Sequence, residues 1–480
     1  MQHIRLQTPS PRRRGIIAVF VAVCLVALLS VAALSVDGGM MFLELRRARA
    51  TADAAAMAAA CDLFKNYPTN LGKDPAGTAK ASALAVASSN GYTNDRTISS
   101  VDVHIPPSSG IYAGLDSYAE IIVTYNMSTA FGGIFGKSSV PVSARAVSRG
   151  AWVAPNDGVL VLNYTGKATL STQGNGAFTE TGGPVIVNSN NASATVTTGN
   201  GSIIAPEFLL TGGVTASGNA SLTTSPVAGQ IFTGTHPTPD PLAYLAPPAV
   251  PPDGTMTTIN NPSISDLPSG MASVVTNLSQ YKTMYIMTPG RYTNLPNFTS
   301  GDLVIMDQAS VNNAGGIYYI DGGGFKSTGG SIMMDKFNTG GVMIYNQPAS
   351  TSLSEKIQIT GNSAGSVNLS PLSSGPYAGM MLWQDRTSPV NVLVEGNGTF
   401  SVKGTFYAAG ATLSINGNGK TSTGGATGGY YDANGNYVSG ASQIGSQYVS
   451  NDLSIGGNGN VKIFYSGPAI ARTRIITLVE

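Results

Sequence analysis

The stretch "RRRGIIAVFVAVCLVALLSVAALSVDGG", residues Arg12–Gly39, decides where the rest of this chain lies. Three arginines precede 22 almost uninterrupted apolar residues, Gly15–Val36, and Asp37 ends the run. At about 1.5 Å per residue, a helix of this length spans roughly 33 Å, enough for a hydrocarbon core of about 30 Å. A signal peptide usually has an apolar core of only about 7–15 residues. The run therefore predicts a transmembrane helix over residues 15–36, with a cleaved signal peptide as the alternative.

The arginines around this run predict its orientation. Four arginines precede it, whereas the first charge on the far side is Asp37 and the next arginines begin about ten residues after the run, at Arg46. Basic residues favour the cytoplasmic side of a membrane. We therefore expect residues 1–14 to form a cytoplasmic tail. The protein would cross the cell (inner) membrane once, with its C-terminal bulk periplasmic or extracellular.

The composition agrees with export and argues against several classes of protein. Charged residues make up 11% of the 480-residue chain, well below the roughly 25% that is typical of soluble domains. A formal net charge of +1 predicts no nucleic-acid-binding surface. The two cysteines and three histidines lie far apart in sequence, at no metal-ligand spacing. We expect no disulfide, no metal, no cofactor and no nucleic-acid partner.

Helical periodicity continues beyond the apolar run, over residues 37–64. A row of side chains recurs there at spacings of four and three residues, as on one face of a helix. The row consists of Met41, Leu45, Ala48, Ala52, Ala55 and Ala59. Alanine favours helix and lets a neighbouring backbone approach closely. This seam predicts close packing, either on the protein's own small domain or against other anchored subunits of an assembly.

The N-terminal segment combines four features in a fixed order. They are a basic residue with glycine (Arg14-Gly15), the apolar span, Val36-Asp37-Gly38, and the alanine tract "ADAAAMAAA" at residues 52–60. In this the segment resembles the Tad-related (TadG-like) Flp pilus-assembly proteins. A processed pilin would carry glutamate at the fifth position after its cleavage-site glycine, and Phe20 stands there instead. The resemblance implies an anchored accessory of a pilus system, with other pilus-assembly or envelope proteins as partners.

The stretch after the alanine tract predicts a small α+β domain over residues 65–150. An alanine-rich helical pattern at residues 79–92 precedes three strand-like segments, at 98–105, 118–127 and 140–148. The resemblance implies a pilin-like layout for this domain.

From about Trp152 onward the sequence predicts an all-β region. The triplet Gly-Asn-Gly begins at residues 174, 199, 396, 417 and 457, and near-copies begin at 218 and 361. Intervals of 19 to 35 residues suit one coil of a parallel β-solenoid (β-helix), and the side chains between the turns alternate as in strands. We expect a first solenoid part at residues 151–235 and a main part at 271–480. An irregular β-sandwich is the alternative.

The two predicted solenoid parts are separated by a proline-rich segment, residues 236–270. Nine prolines lie between His236 and Pro268, which argues against a regular strand or helix there. The segment predicts either an extended excursion over the solenoid surface or an interdomain linker.

An enzymatic function is an alternative for a β-helix, because many polysaccharide lyases and hydrolases have this fold. Acid–base chemistry would need clustered carboxylates. The acidic candidates are Asp307, Asp321, Asp335, Asp385 and Glu395. The first three follow short apolar strands at 14-residue intervals, which do not match a coil of roughly 20–25 residues. We therefore expect them not to stack on one face, and aspartates that bond to turn backbone explain them more simply.

The most site-like cluster is "WQDR", Trp383, Gln384, Asp385 and Arg386. It joins an aromatic ring, an amide and an acid–base pair, which suits either a glycan contact or a structural feature. The structural interpretation is the simpler one. We predict no catalytic residues, since the sequence contains no phosphate loop, nucleophile elbow or dinucleotide fingerprint.

Together these patterns predict a mixed fold: a transmembrane helix with a helical extension, a small pilin-like α+β domain and a large parallel β-solenoid. The predicted function is that of a membrane-anchored structural protein of the cell envelope. It would serve Tad/Flp-type pilus assembly or surface adhesion without catalysis, and its weakly charged faces would bind other surface proteins or glycans. The alternative is a membrane-tethered or secreted β-helix carbohydrate-active enzyme or glycan-binding module.

Overall fold

The computed structural model of the chain describes most of its residues. They are residues 14–153, 155, 157–175, 177–275, 277–308, 316–336, 339–361, 366–396, 399–417, 429–431, 437–439, 442–458, 461–463, 465 and 470–480. The chain divides into two compact units. The helix unit comprises Met1–Trp152 with Arg474–Glu480, and the β unit comprises Val153–Thr473.

One long helix dominates the helix unit. Helix α1 (Arg14–Lys65) contains both the predicted transmembrane helix and the predicted extension, without a break between them. Its sequence carries no proline, and its second half is rich in alanine, the residue with the best helix propensity. The short α2 (Tyr67–Asn70) and the alanine-rich α3 (Thr78–Ser89) follow.

A four-stranded sheet completes the helix unit. Strands β1 (Ser99–His104), β2 (Tyr118–Ser128) and β3 (Ser139–Val153) pair antiparallel, and a 3₁₀ turn at Gly132–Phe135 lies between β2 and β3. The last strand of the chain, Thr473–Leu478, pairs with β3. This differs from the sequence prediction, which placed all of residues 271–480 in the second region. The α+β layout predicted for residues 65–150 therefore also needs α1 and this last strand.

The core of the helix unit lies between the two helices and the sheet. It is built mostly from alanines of α1 and α3, together with Leu63, Tyr92 and the inward residues of β1 and β2. Because alanine is so small, the helices approach each other and the sheet closely.

The β unit consists of short strands joined by turns. In chain order they are β4 (Val159–Val161), β5 (Leu170–Gly174), β6 (Ala177–Glu180), β7 (Val185–Val187), β8 (Thr195–Thr197), β9 (Ser202–Ala205), β10 (Phe208–Leu210), β11 (Val214–Ala216), β12 (Ser221–Thr224), β13 (Ile231–Thr233), β14 (Met256–Asn260), β15 (Thr283–Met287), β16 (Gly290–Tyr292), β17 (Asp302–Met306), β18 (Ile317–Asp321), β19 (Phe325–Thr328), β20 (Ser331–Met334), β21 (Met343–Gln347), β22 (Ile357–Thr360), β23 (Ser366–Leu369), β24 (Met380–Gln384), β25 (Val392–Gly396), β26 (Thr399–Val402), β27 (Thr405–Gly417), β28 (Gly429–Tyr431), β29 (Tyr437–Ser439), β30 (Ser442–Ile444), β31 (Gln447–Gly457) and β32 (Val461–Ile463). The strand that closes the chain in the helix unit is β33 (Thr473–Leu478). Further 3₁₀ turns span Ile264–Asp266, Met271–Ser273, Leu278–Gln280 and Leu353–Glu355.

Most strands of the β unit belong to two large sheets of 16 and 11 strands. The 16-stranded sheet runs β13-β10-β7-β4-β31-β27-β24-β21-β18-β16, with β5, β8, β11, β19, β22 and β25 on side branches. The 11-stranded sheet runs β12-β9-β6-β32-β30-β26-β23-β20-β17-β15-β14. Among the described residues these pairs are parallel, except β14 with β15, and the small β28–β29 hairpin is antiparallel. The predicted β-rich architecture is thus present with mostly parallel sheets.

The early and late parts of the β unit are joined in one sheet. Strand β31 pairs on one side with β27 and on the other with β4 and β5, with Leu453 opposite Leu170. The strands before the proline-rich segment therefore stack on the end of those that follow it. The sequence order of the two predicted parts is the reverse of their order along the sheet.

The Gly-Asn-Gly triplets coincide on neighbouring strands. Gly417 is opposite both Gly396 and Gly457, and Gly457 is opposite Gly174. A side chain is excluded at Gly174, where φ is +122° and a Cβ would lie 2.2 Å from the carbonyl oxygen of Gly457. Asparagines that follow the first glycine of a triplet, or of the near-copy at 218, form a row of side-chain hydrogen bonds. In order along the row they are Asn458, Asn175, Asn200 and Asn219.

The proline-rich segment makes specific contacts within the β unit. The Nδ2 of Asn188 donates to the carbonyl of Thr238 at 2.7 Å, and the hydroxyl of Tyr377 donates to the carbonyl of Ala246 at 3.1 Å. Leu242 and Leu245 are buried. One part of the prediction is wrong: residues 256–260 form strand β14 between Pro252 and Pro262, because neither proline falls inside the strand.

Candidate functional site

The first half of α1 is a long apolar surface that the protein itself does not cover. It is the one helix among the described residues that is long and apolar enough to cross a membrane, with a mean hydropathy of 3.0 in its most apolar window. Large apolar side chains from Ile17 to Leu45 are exposed all round it. Such a helix is stable only in an apolar solvent, which fits a membrane span.

Polar side chains on this surface satisfy their own hydrogen bonds. The hydroxyls of Ser30 and Ser35 each donate to the carbonyl oxygen four residues earlier, at 2.8 Å. Backbone and side-chain donors without partners are costly in a bilayer. Both hydroxyls are therefore hydrogen-bonded within the helix and would add no unpaired donor to a bilayer.

The alanine seam lies on the second half of α1. It consists of a buried part, formed by its alanines, and an exposed part, formed by Met41 and Leu45. Its alanines, at positions 48, 52, 55 and 59, are fully buried against α3 and the sheet of the helix unit. Met41 and Leu45 remain 42% and 40% exposed. The alanines thus pack on the protein's own small domain, whereas the first two seam residues belong to the exposed apolar surface.

The "WQDR" cluster lies at the end of β24, all of whose residues are buried. The Trp383 ring packs edge-on against Tyr345 and Tyr407, with centroids 5.5 and 5.6 Å away. Gln384 is buried beside it, accepts from Asn346 at 2.9 Å and donates to Ser388 at 3.1 Å. Since Trp383 is fully buried, its ring has no face available for stacking on a sugar.

Asp385 and Arg386 hold neighbouring segments together. Asp385 accepts a hydrogen bond from Tyr345 Oη at 2.6 Å. Burial opposes ionisation of Asp385, but hydrogen bonds from Thr387 and Tyr345 hold the pKa of its carboxyl below the ordinary value. Arg386 lies over the rings of Trp383 and Tyr407 and donates to the carbonyl of Leu242.

Tyr407 closes this network by donating to Asp240 Oδ2 at 2.6 Å. Asp240 and Leu242 both belong to the proline-rich segment. The cluster that looked most site-like in the sequence therefore fixes that segment to the sheet.

The acidic candidates are placed differently from the prediction. Residues 307 and 335 directly follow β17 and β20, which pair with Met306 opposite Met334, so the two aspartates lie side by side just past the ends of adjacent strands. The prediction that none of the three would stack is wrong for this pair, because two 14-residue intervals make one full return to the same sheet. Asp321 ends β18 in the other sheet and pairs with Arg291 at 2.7 Å.

Two further acids, Asp335 and Glu395, accept structural hydrogen bonds. Asp335 accepts from the backbone N–H of Gln308 at 3.0 Å, and Glu395 accepts from Thr360 at 2.8 Å and Asn416 at 3.0 Å. Among the described residues no group of three or more His, Cys, Asp or Glu is placed to hold a metal ion.

Glu180, at the end of β6, is a buried acid that sequence reasoning missed. Its Oε1 accepts from the backbone N–H groups of Gly182 at 2.9 Å and Gly183 at 3.1 Å, while its Oε2 has no hydrogen-bond partner among the described residues. Burial raises the pKa of this carboxyl to about 8 despite these backbone hydrogen bonds. The only sequence signal is a glutamate at an inward position of an alternating strand, just before Thr-Gly-Gly.

Comparison with known proteins finds similarity in the N-terminal segment. Residues 15–62 match the family described as "Putative Flp pilus-assembly TadE/G-like". Comparison with curated proteins finds no significant match. Among solved structures, the crystal structure of the competence-associated pilin ComZ from Thermus thermophilus aligns over 80% of this chain and 87% of its own, at 10% identity and a TM-score of 0.22. That score is too low to carry an argument. The resemblance predicted from Arg14-Gly15 and the alanine tract is confirmed by the match at residues 15–62.

Proposed function

We propose that this protein is a single-pass membrane protein of the bacterial cell envelope that serves Tad/Flp-type pilus assembly as a structural component. The observation that carries the proposal is α1, in which one continuous helix has an exposed apolar half and a half buried in a folded unit. Such a helix transmits a fixed orientation from the bilayer to the unit outside it. The match of residues 15–62 to pilus-assembly proteins gives this anchored arrangement its context.

We further propose that residues 1–14 are cytoplasmic and that both units lie in the periplasm or outside the cell. The arginines that abut the apolar run support this orientation. The partners would be other pilus-assembly or envelope proteins.

The β unit would act as a rigid, weakly charged arm of the β-solenoid class. The parallel pairing of neighbouring strands, the stacked glycines and the asparagine row support this assignment. We propose an adhesive or scaffolding role without catalysis. The hydrogen bonds that occupy Asp335, Asp385 and Glu395 favour structural roles for these acids.

The test is protease digestion of intact spheroplasts, followed by the mass of the fragment that stays in the membrane. The expected fragment retains residues 1–14 and ends beyond the apolar run, because the lipid bilayer protects the span and the cytoplasm protects the tail. Protection of the β unit instead of the tail would contradict the orientation. Release of the whole C-terminal part without protease would contradict the anchor.

A charge-insertion variant sharpens this test. Leu25→Arg with Leu28→Arg places two charges at the middle of the span, each costing about 2.5–3.5 kcal/mol on insertion. We expect this variant to lose its membrane retention. The control, Ile111→Arg, changes an exposed isoleucine of the helix unit outside α1 and should remain in the membrane.

A further inference from the structure

The loop between β2 and β3 is attached to the end of the apolar run. The carboxylate of Asp37 accepts hydrogen bonds from three successive backbone N–H groups of this loop. The distances are 2.7 Å from Ala130, 3.1 Å from Phe131 and 2.8 Å from Gly132. One acidic side chain on α1 therefore holds the loop beside the helix, and the loop's N–H groups compensate its charge.

The same loop displays apolar side chains to the outside. Ile134 is 80% exposed and Phe131 is 41% exposed, although the loop is pinned at both ends. Its base is closed by the N–H of Thr129, which donates to Ser138 at 3.0 Å, and by that of Lys137, which donates to Gly132 at 3.0 Å. A loop that is held in place by hydrogen bonds and exposes large apolar side chains is a candidate interaction site.

The position along α1 indicates what covers these residues. Exposed apolar residues continue past Asp37 through Met40 to Leu45, and the first exposed arginines follow at 46 and 47. From residue 37 to residue 46 the helix rises roughly 13 Å. The headgroup layer on one side of a bilayer is about 5–8 Å thick. With residues 15–36 filling the hydrocarbon core, Asp37 falls at its boundary, and Arg46 and Arg47 lie just beyond the headgroup layer.

We propose that residues Ala130–Gly136 form a second lipid contact, which inserts Phe131 and Ile134 into the membrane interface beside the transmembrane helix. The occupant is the bilayer, because this surface is continuous with the exposed apolar face of α1. Lys137, at the end of the loop, adds a cation at the level of the headgroups. The helix unit would then be held at a fixed tilt by two contacts, the span and the loop. The inference rests on the proposed membrane anchor.

The test uses the full chain in vesicles of phosphatidylcholine and phosphatidylglycerol with brominated acyl chains. In a background with Cys24→Ala and Cys61→Ser, single cysteines at Leu28, Ile111 and Ile134 carry an environment-sensitive fluorophore. Leu28→Cys reports the span. Ile111→Cys is the matched control, since Ile111 is an equally exposed isoleucine, at 78%, on another loop of the helix unit.

We expect brominated lipid to quench the probe at 134 to roughly half its intensity, as for a group buried about 5–10 Å into the interface. The probe at 28 should be quenched at least as strongly, and the probe at 111 should not be quenched. Quenching at 28 without quenching at 134 would overturn the loop contact and leave the anchor intact. Quenching at 111 as strong as at 134 would also overturn it. Absence of quenching at 28 would overturn the anchor itself.

A second variant tests how the loop is held. Asp37→Ala removes the acceptor of three backbone N–H groups, so quenching at 134 should fall while quenching at 28 stays unchanged. In a Trp383→Phe background, the emission of Trp152, which is buried in the helix unit, verifies that the unit remains folded. Unchanged quenching at 134 in the folded variant would overturn the role of Asp37.

Discussion

The two units of this protein have cores built on opposite principles. In the helix unit, alanines let backbones approach closely, and Gly150 on β3 lies so near α1 that a Cβ there would be 2.0 Å from the carbonyl oxygen of Ala60. In the β unit, large side chains such as Tyr318, Phe325 and Ile344 fill the space between sheets. The first core gains stability from close fit and the second from buried apolar area. The same substitution should therefore have different consequences in the two units.

The largest expected effect is the loss of an aromatic ring from the β unit. Phe325 is fully buried beside Phe298, with ring centroids 5.7 Å apart. Phe325→Ala should lower the free energy of unfolding of the β unit by about 3–5 kcal/mol, because it removes buried area and leaves a cavity. The measurement is urea denaturation followed by Trp383 fluorescence in a Trp152→Phe background, since each unit holds one tryptophan. Leu353→Ala, at an exposed site of the same unit, should have little effect.

The buried acid of the β unit gives a pH-dependent effect. The pKa of Glu180 is about 8 in the folded protein, above its ordinary value of 4.5, so the folded state holds a proton that the unfolded state releases. The stability of the β unit should therefore be highest below about pH 4.5 with respect to this group and fall as the pH rises to about 8. The expected loss is at most about 5 kcal/mol, at about 1.36 kcal/mol for each unit by which the pKa differs. Glu180→Gln should remove this slope and be more stable than the natural protein above pH 8.

The same denaturation experiment at a series of pH values measures that slope. Glu207→Gln, a half-buried acid in the same unit, serves as the control and should keep the slope. An unchanged slope in Glu180→Gln would show that another group causes the pH dependence. It would also weaken the contrast between a water-excluding core in the β unit and the close-fitting core of the helix unit.

The smallest of these effects is expected from enlarging an alanine in the helix unit. Ala55→Leu adds three carbons at a fully buried site and should cost about 1–3 kcal/mol through overpacking. Trp152 fluorescence in a Trp383→Phe background reports unfolding of this unit. Ala54→Leu makes the same change one residue away on the exposed side and should be nearly neutral. Equal effects at 54 and 55 would mean that the alanine seam is not closely packed.

The helix unit could be predicted well from the sequence because the patterns that define it each lie within a short stretch of chain. The apolar run, the alanine spacing and the short alternating strands each concern residues within one or two elements. The seam was only partly right, since Met41 and Leu45 fit the helical period and yet remain 42% and 40% exposed. Period alone cannot tell a protein core from a lipid bilayer, because both bury the same apolar stripe.

The β unit and its candidate site depend on contacts that sequence patterns do not record. The glycine triplets predicted stacked turns, but nothing in them indicates that Gly457 pairs with Gly174, far earlier in the chain. The segment Trp383–Arg386 joins an aromatic ring, an amide and an acid–base pair, a combination that suits a glycan contact as well as a structural feature. The ring's partner Tyr407 and the contact from Arg386 to Leu242 come from distant segments, and these determine the burial of the ring.

The pairing of β33 with β3 has a consequence for biogenesis. Until Thr473–Leu478 has been made, β3 presents an unpaired strand edge, although every other element of the helix unit emerged hundreds of residues earlier. An open edge is a site for wrong pairing with another chain. Completion of the helix unit therefore requires the chain to be made through residue 478, and a chain that stalls anywhere before residue 473 leaves that edge of β3 unpaired.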